Sequence, residues 1–433
     1  DYVKECGYNY VEFLPLSEHP CDESWGYQIT GFYAPTSRYG TARELMMLID
    51  RLHQAGIGVI LDFVPAHFAV DDYGLARYDG TALYEYPHRD VEVSEWGSHN
   101  FMHSRGEVRS FLQSCARYWL EEFHFDGLRM DAISRILYWQ GDEARGVNGD
   151  GVAFLRTMNQ GLKHLCPGCI LAAEDSTNFP KVTAPAEQGG LGFTYKWDMG
   201  WMQDTLSYFQ TPPEDRPARR HQITFSMHYF PQERYLLPLS HDEVVHGKAT
   251  ILQKMHGGYD GKFPQARALY LYMMVHPGKK LNFMGNEIGH FREWDEHREQ
   301  DWLLRDFPIH DAFYHYMARL NHIYLDHPAL SRWDYRPEGF AWLDGRGEES
   351  CVFAIQRQGG GERMVALFNF GAQARQYRLP ATAGAKLLLH PDWQRFGGST
   401  PEGEEPKPAG GALTVCLPPC SGQLFCMESY KYS

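Results

Sequence analysis

The sequence of 433 residues predicts an α/β fold, a (β/α)8 barrel of the TIM type followed by an all-β sandwich. Short apolar runs alternate with helical stretches over residues 1–330, which is typical of a parallel sheet covered on both faces. After about Pro328 the helical periodicity stops, and short strand-like runs separated by Gly and Pro follow. We therefore expect a barrel domain over residues 1–330 and a C-terminal β-sandwich over residues 331–433.

Seven strand-like runs precede the change in pattern, at residues 10–16, 58–64, 125–131, 169–174, 189–195, 235–240 and 281–285. An open doubly wound sheet and an eight-stranded barrel both fit this count. The first residues resemble the end of a helix that Gly7 stops, and a helix that enters a parallel strand normally follows another strand. We therefore predict a barrel whose first strand lies outside this chain.

The connections are predicted from periodicity and turn residues. Residues 41–56 have apolar side chains at helical spacing, Thr41 can cap this helix with Glu44, and Gly56 ends it. A turn-rich excursion is expected over about 65–103, and a second helix over 107–123. The sandwich strands are expected at 339–343, 351–355, 364–369, 386–390 and 412–416.

The composition excludes several classes of protein. The formal net charge is −14, and an acidic chain repels phosphate backbones, so we expect no nucleic-acid partner. No apolar run is long enough to span a membrane, and the first residues predict no signal peptide. Nine scattered cysteines, with Cys166 and Cys169 as the close pair, favour free thiols in a reducing cytoplasm. We expect a cytoplasmic monomer.

Polar side chains end several predicted strands, at the edge where the active site of a barrel lies. They are Asp62 with His67, Arg129 with Asp131, Glu174, and His241 with Asp242. A core strand has no structural need for a charge at its end, although helix capping or solvation explains single cases. Together, these side chains predict one cluster of carboxylates and imidazoles.

Two of the carboxyl groups suit the two roles in a retaining glycosidase. Residues two apart on a strand point to the same face, so Arg129 is expected beside Asp131, lowering its pKa and favouring an ionised nucleophile. Glu174 follows an apolar run, and a carboxyl in apolar surroundings keeps its proton longer, which suits a general acid.

This chemistry needs neither a metal nor an organic cofactor, and we expect none. The sequence has no phosphate-binding G-x-x-x-x-G-K-[ST] motif, no G-x-S-x-G and no H-E-x-x-H. His241, Asp242, Glu243 and His246 could ligate a metal, but no second cluster of ligands accompanies them.

Four segments resemble, in order and spacing, the short motifs of the α-amylase family, glycoside hydrolase family 13. They are Asp62-Phe-Val-Pro-Ala-His67, Gly127-Leu-Arg-Met-Asp131, Ala173-Glu174-Asp-Ser-Thr177 and Leu239-Ser-His-Asp242. Phe63, Ala66 and Asp175 depart from residues common in that family, but none of these departures removes a catalytic group.

Longer stretches resemble the glycogen branching enzymes within that family. They are Ser24-Trp-Gly-Tyr-Gln28, Gly189-Gly-Leu-Gly-Phe-Thr-Tyr-Lys-Trp197, Ser240-His-Asp-Glu-Val-Val-His-Gly-Lys248, Phe283-Met-Gly-Asn-Glu287 and Arg292-Glu-Trp294. The resemblance runs along essentially the whole chain. It implies an N-terminal carbohydrate-binding module and a first barrel strand, which we expect to lie outside this chain.

The resemblance implies catalytic roles for three carboxyl groups. Asp131 would be the nucleophile and Glu174 the acid/base. Asp242 would be a third carboxylate, which binds hydroxyls of the reacting sugar and stabilises the distorted transition state.

Five further residues would bind or orient, by the same resemblance. Arg129 would orient Asp131, and Asp62 would support that arrangement. His67 and His241 would hydrogen-bond the sugar at the cleavage site, and Tyr27 would stack beneath it.

The expected function is therefore that of a glycosyltransferase in glycogen biosynthesis. It would cleave an α-1,4 linkage of a donor glucan and transfer the fragment to a 6-hydroxyl of an acceptor glucan, which makes an α-1,6 branch. One alternative is an α-glucan hydrolase of the same family, of the debranching or trehalohydrolase type, with water as the acceptor. A second alternative is a glucan-binding fragment without turnover.

Overall fold

The computed structural model describes residues 1–345, 351–380, 384–403 and 411–427. These residues form two units. The N-terminal unit comprises Tyr8–Trp197 and Gln232–Arg234. The C-terminal unit comprises Asp1–Gly7, Asp198–Pro231 and the described residues from Tyr235 onward. The expected domain boundary near residue 330 stays a prediction.

Five parallel strands form the sheet of the N-terminal unit, and consecutive strands are neighbours in that sheet. They are β1 (Tyr10–Phe13), β2 (Gly58–Phe63), β3 (Gly127–Met130), β4 (Ile170–Ala173) and β5 (Tyr195–Trp197). The register pairs Asp62 with Arg129, and Arg129 with Ala172. Because the strands are parallel, the residues that follow them emerge at one edge of the sheet.

Three long helices lie between these strands in the sequence, and the first two correspond to the helices predicted at 41–56 and 107–123. They are α1 (Ala42–Gln54), α2 (Gly106–Glu121) and α3 (Gly149–Leu165). The capping box at the start of α1 is confirmed, because Thr41 Oγ1 accepts from the Glu44 amide while the Glu44 carboxylate accepts from the Thr41 amide. Leu112 and Trp119 of α2 and Leu128 of β3 lie in one buried apolar cluster.

The excursion predicted over about 65–103 contains little regular secondary structure. His67–Phe68 and His99–Asn100 form a two-residue antiparallel pair, and Arg89–Glu92 is a single helical turn. Earlier in the same unit, Ser17–Glu18 pairs with Gly31–Pro35. The excursion therefore starts and ends at one small β-ladder, which holds His67 in place.

The C-terminal unit contains two further parallel strands, β6 (Tyr235–Leu239) and β7 (Lys279–Asn282). Its long helices are α4 (Met199–Gln210), α5 (Tyr259–Val275) and α6 (Pro308–Asp326). Single helical turns elsewhere are Tyr2–Glu5, Ser134–Leu137, His221–Thr224, Ser226–Tyr229 and Ile251–Lys254. In the described part of the chain, no helix combines the length and apolar character that crossing a membrane requires.

Two antiparallel sheets follow in the same unit. The larger sheet has the order β8-β9-β10-β14-β12, and β11 pairs with β13 in the smaller one. Their bounds are β8 (Phe340–Asp344), β9 (Val352–Gly359), β10 (Glu362–Asn369), β11 (Arg375–Pro380), β12 (Ala385–Leu389), β13 (Ala412–Leu417) and β14 (Ser421–Met427). The α/β fold followed by an all-β region is therefore confirmed, and five of these strands coincide with predicted runs.

Three strand predictions need correction. Residues 189–195 were expected to form a strand, but β5 begins only at Tyr195, because Gly189 and Gly192 adopt left-handed backbone conformations. Neither β11 nor β14 is expected from the sequence. β11 carries two arginines and a glutamine, so it lacks the apolar pattern that marks the other strands.

Candidate active site

Arg129 is the centre of the candidate active site. Its buried guanidinium contacts three carboxylates: Nη1 donates to Asp62 Oδ2 at 2.5 Å and to Asp131 Oδ1 at 3.1 Å, and Nη2 lies 2.9 Å from Glu174 Oε2. These acids stand at the ends of β2, β3 and β4, so the parallel register brings them together. One cation thus orients three acids that are distant in sequence.

Asp131 differs from expectation in its electrostatics. The sequence predicts that Arg129 lowers the pKa of Asp131, but the pKa is raised well above its ordinary value. Burial is the largest cause, Arg129 opposes it, and the negative charge of Glu174 adds to it. Arg129 therefore limits the cost of ionising Asp131 without removing it.

Glu174 is held by the backbone that follows Asp131. The amide of Ala132 donates to Glu174 Oε2 at 2.9 Å, and Ala132 has a left-handed φ of 44°. A non-glycine residue in this region is strained, and such strain concentrates at functional sites. The turn after β3 thus positions both Asp131 and Glu174.

Asp62 and Tyr27 form the other side of the cluster. The Tyr27 hydroxyl donates to Asp62 Oδ2 at 2.5 Å, and Arg129 Nη1 lies 3.2 Å from the same hydroxyl. Burial raises the pKa of Asp62 to about 6, against the effect of Arg129. The turn before Tyr27 needs glycine, because a Cβ on Gly26 (φ 93°) would lie 2.3 Å from the Pro15 carbonyl oxygen.

His67 lies five residues after Asp62 and is 2% exposed. Burial, followed by the positive charge of Arg135, lowers the pKa of His67 to about 4, so the imidazole is neutral at physiological pH. Its Nδ1, Asp62 Oδ1 and Arg129 Nε have no hydrogen-bond partner among the described residues. Buried polar atoms without partners need an explanation, and a polar ligand or ordered water supplies one.

His241 and Asp242 belong to the C-terminal unit and are described within it. They follow β6 in a 3₁₀ turn, His241–Val244, where His241 Nε2 lies 3.6 Å from Asp242 Oδ1. His241 is buried, whereas the Asp242 side chain is 41% exposed. Six of the eight expected site residues thus lie in the N-terminal unit, around Arg129 and the start of the excursion.

Two side chains near Arg129 received no role from the sequence. The ring of Trp197, the last residue of β5, lies 4.3 Å from the Arg129 guanidinium carbon, a cation–π contact. Glu12 is in register with Ile60, on the β2 face that bears Asp62, and interacts electrostatically with Arg129. In the sequence, Glu12 is conspicuous as the single acidic residue within the apolar run of β1.

A buried ion pair next to Glu174 was also missed. Lys196 Nζ donates to Asp175 Oδ2 at 2.9 Å and to the Thr177 carbonyl oxygen at 2.9 Å. Asp175 Oδ1 accepts from the Thr177 amide at 3.0 Å. The pair fixes the chain directly after Glu174. The sequence sign of this pair is Lys196, a charged residue directly after the strand predicted at 189–195.

Among the residues that the structure describes, no group of three His, Cys, Asp or Glu side chains is arranged to hold a metal ion.

Comparisons of the sequence find a matching family model and similar enzymes. The family described as "Alpha amylase, catalytic domain" matches residues 1–79. The chain is 46% identical over 404 residues to the 1,4-alpha-glucan branching enzyme GlgB of Bacillus caldolyticus, covering 92% of this chain and 61% of that enzyme. The GlgB of Desulfitobacterium hafniense is 47% identical over 412 residues, covering 92% and 65%.

Solved structures show the same fold at low identity. The α-amylase of Geobacillus thermoleovorans superposes with a TM-score of 0.74 at 17% identity, over 100% of this chain and 91% of that one. The α-amylase of H. orenii has a TM-score of 0.73 at 16% identity, over 99% and 92%. The chain spans 61–65% of the length of the branching enzymes it matches. The chain is therefore similar over 92% of its length to branching enzymes, and it has the fold of the solved α-amylases.

Proposed function

We propose that this protein is a glycosyltransferase of the 1,4-alpha-glucan branching type. The observation that carries the proposal is the contact of one buried guanidinium, Arg129, with the carboxylates of Asp62, Asp131 and Glu174. The names of the relatives that match 92% of the chain support the choice of reaction. The substrates would be α-1,4-glucans such as amylose and glycogen, as donor and as acceptor.

The first half of the reaction breaks the donor chain. An Asp131 carboxylate oxygen attacks C1 of a glucosyl unit, and the bond from C1 to the leaving glycosidic oxygen breaks. Glu174 gives its proton to that oxygen, so the leaving chain departs with a hydroxyl group. The Ala132 amide on Glu174 Oε2 leaves the other carboxyl oxygen, Oε1, to carry this proton.

The second half uses the same groups in reverse. The Glu174 carboxylate takes the proton from a 6-hydroxyl of the acceptor chain while that oxygen attacks C1 and displaces Asp131. The product is an α-1,6 linkage, and Glu174 is again protonated. Retention of configuration follows from two successive displacements at C1.

The remaining expected residues would act by binding the sugar. We assign His67 and His241 to hydrogen bonds with sugar hydroxyls, and Asp242 to a third carboxylate contact. Tyr27 would lie beneath the sugar, held through its hydroxyl by Asp62. Residues 1–330 would carry the catalysis, without metal or cofactor, in a cytoplasmic monomer; the nine cysteines, all free, support a reducing compartment.

The proposal is tested by proton NMR of the protein incubated with linear amylose, which counts new α-1,6 anomeric protons and new reducing ends. We expect α-1,6 signals to rise while reducing ends stay constant. Asp131→Asn and Glu174→Gln should each lower turnover by about 10³-fold or more and leave the fold intact. Asp50→Asn, an exposed change on α1, is the matched control and should leave turnover unchanged.

Other outcomes decide against the proposal. A rise in reducing ends without α-1,6 signals identifies water as the acceptor and makes the protein a hydrolase. Glucan binding without either signal identifies a binding protein. Substantial activity in Asp131→Asn or Glu174→Gln would remove the assigned roles.

A further inference from the structure

Trp96 is an aromatic side chain that stands at the tip of a turn in the excursion. The residue is 47% exposed. Keeping a large apolar ring in water gives up the stabilisation that burial would supply. Single exposed aromatics are common on protein surfaces, so exposure alone assigns nothing to this residue.

The turn that presents Trp96 is rigid. Ser94 and Ser98 are buried and exchange backbone and side-chain hydrogen bonds, and the Trp96 amide donates to Ser94 Oγ at 3.2 Å. Gly97 follows with a left-handed φ of 77°, and Val93 pairs with His99 in a β-bridge. The backbone of Trp96 is therefore fixed before any ligand arrives.

The ring contacts two residues, His67 of the candidate site and Arg135. Its centroid lies 5.1 Å from that of His67, with 43° between the planes. The Arg135 guanidinium carbon lies 4.9 Å from the ring centroid, and Arg135 also forms an ion pair with Glu95. His67 comes five residues after Asp62, and Arg135 comes four residues after Asp131, so both contacts lie at the edge of the sheet that carries the acids.

We propose that Trp96 is a sugar-binding residue, which stacks its exposed ring surface against a glucosyl unit next to the one at Asp131. The ligand is an α-1,4-linked glucan chain, whose rings present apolar C–H faces to an aromatic side chain. This inference rests on the proposed function of the same site. The fixed turn means that little conformational entropy is lost when the sugar binds.

A purely structural role makes a different prediction. If Trp96 only packs against His67, its loss would misplace the imidazole, which would lower kcat and leave KM nearly unchanged. If Trp96 binds a neighbouring sugar unit, its loss would mainly raise KM and weaken the binding of longer glucans. The two roles are separated by kinetics and by a binding measurement without turnover.

The test compares Trp96→Ala with Tyr73→Ala, which removes another exposed aromatic of the excursion, 72% exposed. We expect Trp96→Ala to raise KM for amylose about tenfold with kcat within about twofold, and Tyr73→Ala to change neither. Trp96→Phe, which keeps a ring, should recover most of the loss, whereas Trp96→Leu should not. In the Asp131→Asn background, Trp96→Ala should weaken maltoheptaose binding about tenfold by calorimetry.

Several results would overturn the inference. They are a fall in kcat at constant KM, equal behaviour of Trp96→Leu and Trp96→Phe, or unchanged maltoheptaose affinity. Failure of the proposed function is recognised separately, because it shows in the wild-type protein as absent α-1,6 product. The binding comparison in the Asp131→Asn background still decides the role of Trp96 in that case.

Discussion

Glu12 is a carboxyl on β1 that interacts with the same buried cation as the proposed catalytic acids. Burial, opposed by Arg129 and reinforced by Asp62, raises the pKa of Glu12 to about 8. In the unfolded chain a glutamate releases its proton near pH 4.3. Between these values the folded state holds one proton more than the unfolded state, so the free energy of unfolding falls as pH rises.

At the residue scale we therefore expect Glu12→Gln to remove part of this pH dependence. One proton changes the free energy of unfolding by at most about 1.4 kcal/mol per pH unit. Over the interval of about 2 pH units from pH 5.5 to pH 7.5, the free energy of unfolding of Glu12→Gln should rise relative to that of wild type. Urea denaturation at both values measures it. Glu187→Gln, at an exposed position, is the control, and an equal response in both variants would contradict the assignment.

Some features of the candidate site could be predicted from single residues in the sequence, and others could not. Asp62, Arg129, Asp131 and Glu174 were predictable because charges at strand ends are visible in sequence, and the structure places them in contact. The direction of the pKa shift of Asp131, which burial raises and Arg129 lowers, was not predictable, because desolvation depends on every atom packed around the carboxyl group. The resemblance supplied the roles, which geometry alone does not assign.

At the scale of elements, two helical segments begin with a capping box, and the two boxes have different surroundings. Thr41 caps α1 on the exposed surface, whereas Thr250 is 1% exposed and caps the helical turn Ile251–Lys254. Lys254 on that turn donates to the carbonyl oxygens of Glu243 and Ala249. This turn therefore fixes the loop that carries His241 and Asp242.

We expect Thr41→Ala to cost about 1 kcal/mol of stability and the buried Thr250→Ala to cost about 2 kcal/mol. Only Thr250→Ala should also lower kcat, by about tenfold, because it loosens the loop of Asp242. Thr250→Ser keeps the hydroxyl and should behave as wild type. Denaturation with urea and amylose kinetics measure both effects, and equal activity of the two alanine variants would refute the link to Asp242.

The predicted strands are those in which burial gives a visible apolar pattern, and β11 was missed because it lacks such a pattern. All of β2 except its first residue is buried, and this strand is a continuous apolar run up to Asp62. In β11 only Leu379 is buried, so its sequence is mostly polar and resembles a loop. β11 forms a strand because it pairs with β13, which is distant in sequence, and the residues of β11 alone do not show this pairing.

For the whole molecule, stability at acid pH depends on buried histidines. Burial lowers the pKa of His67, His103 and His390 to about 4, and that of His276 to about 3. Unfolded histidines take up protons near pH 6.5, whereas these buried ones do not. From pH 6.5 down to about 4 the unfolded state thus binds more protons, and each histidine lowers the free energy of unfolding as pH falls.

His276 offers a clear test of this acid limb. Its Nδ1 lies 2.8 Å from the Pro277 carbonyl oxygen and its Nε2 lies 2.8 Å from Ser226 Oγ, so the neutral ring donates at Nδ1 and accepts at Nε2. His276→Gln should be less stable than wild type at pH 7.5, because it disturbs these bonds. That deficit should shrink by about 1 kcal/mol per pH unit between pH 6.5 and 5. Urea denaturation across this range measures it, with exposed His164→Gln as the control; a deficit that stays constant would show that His276 contributes nothing to acid unfolding.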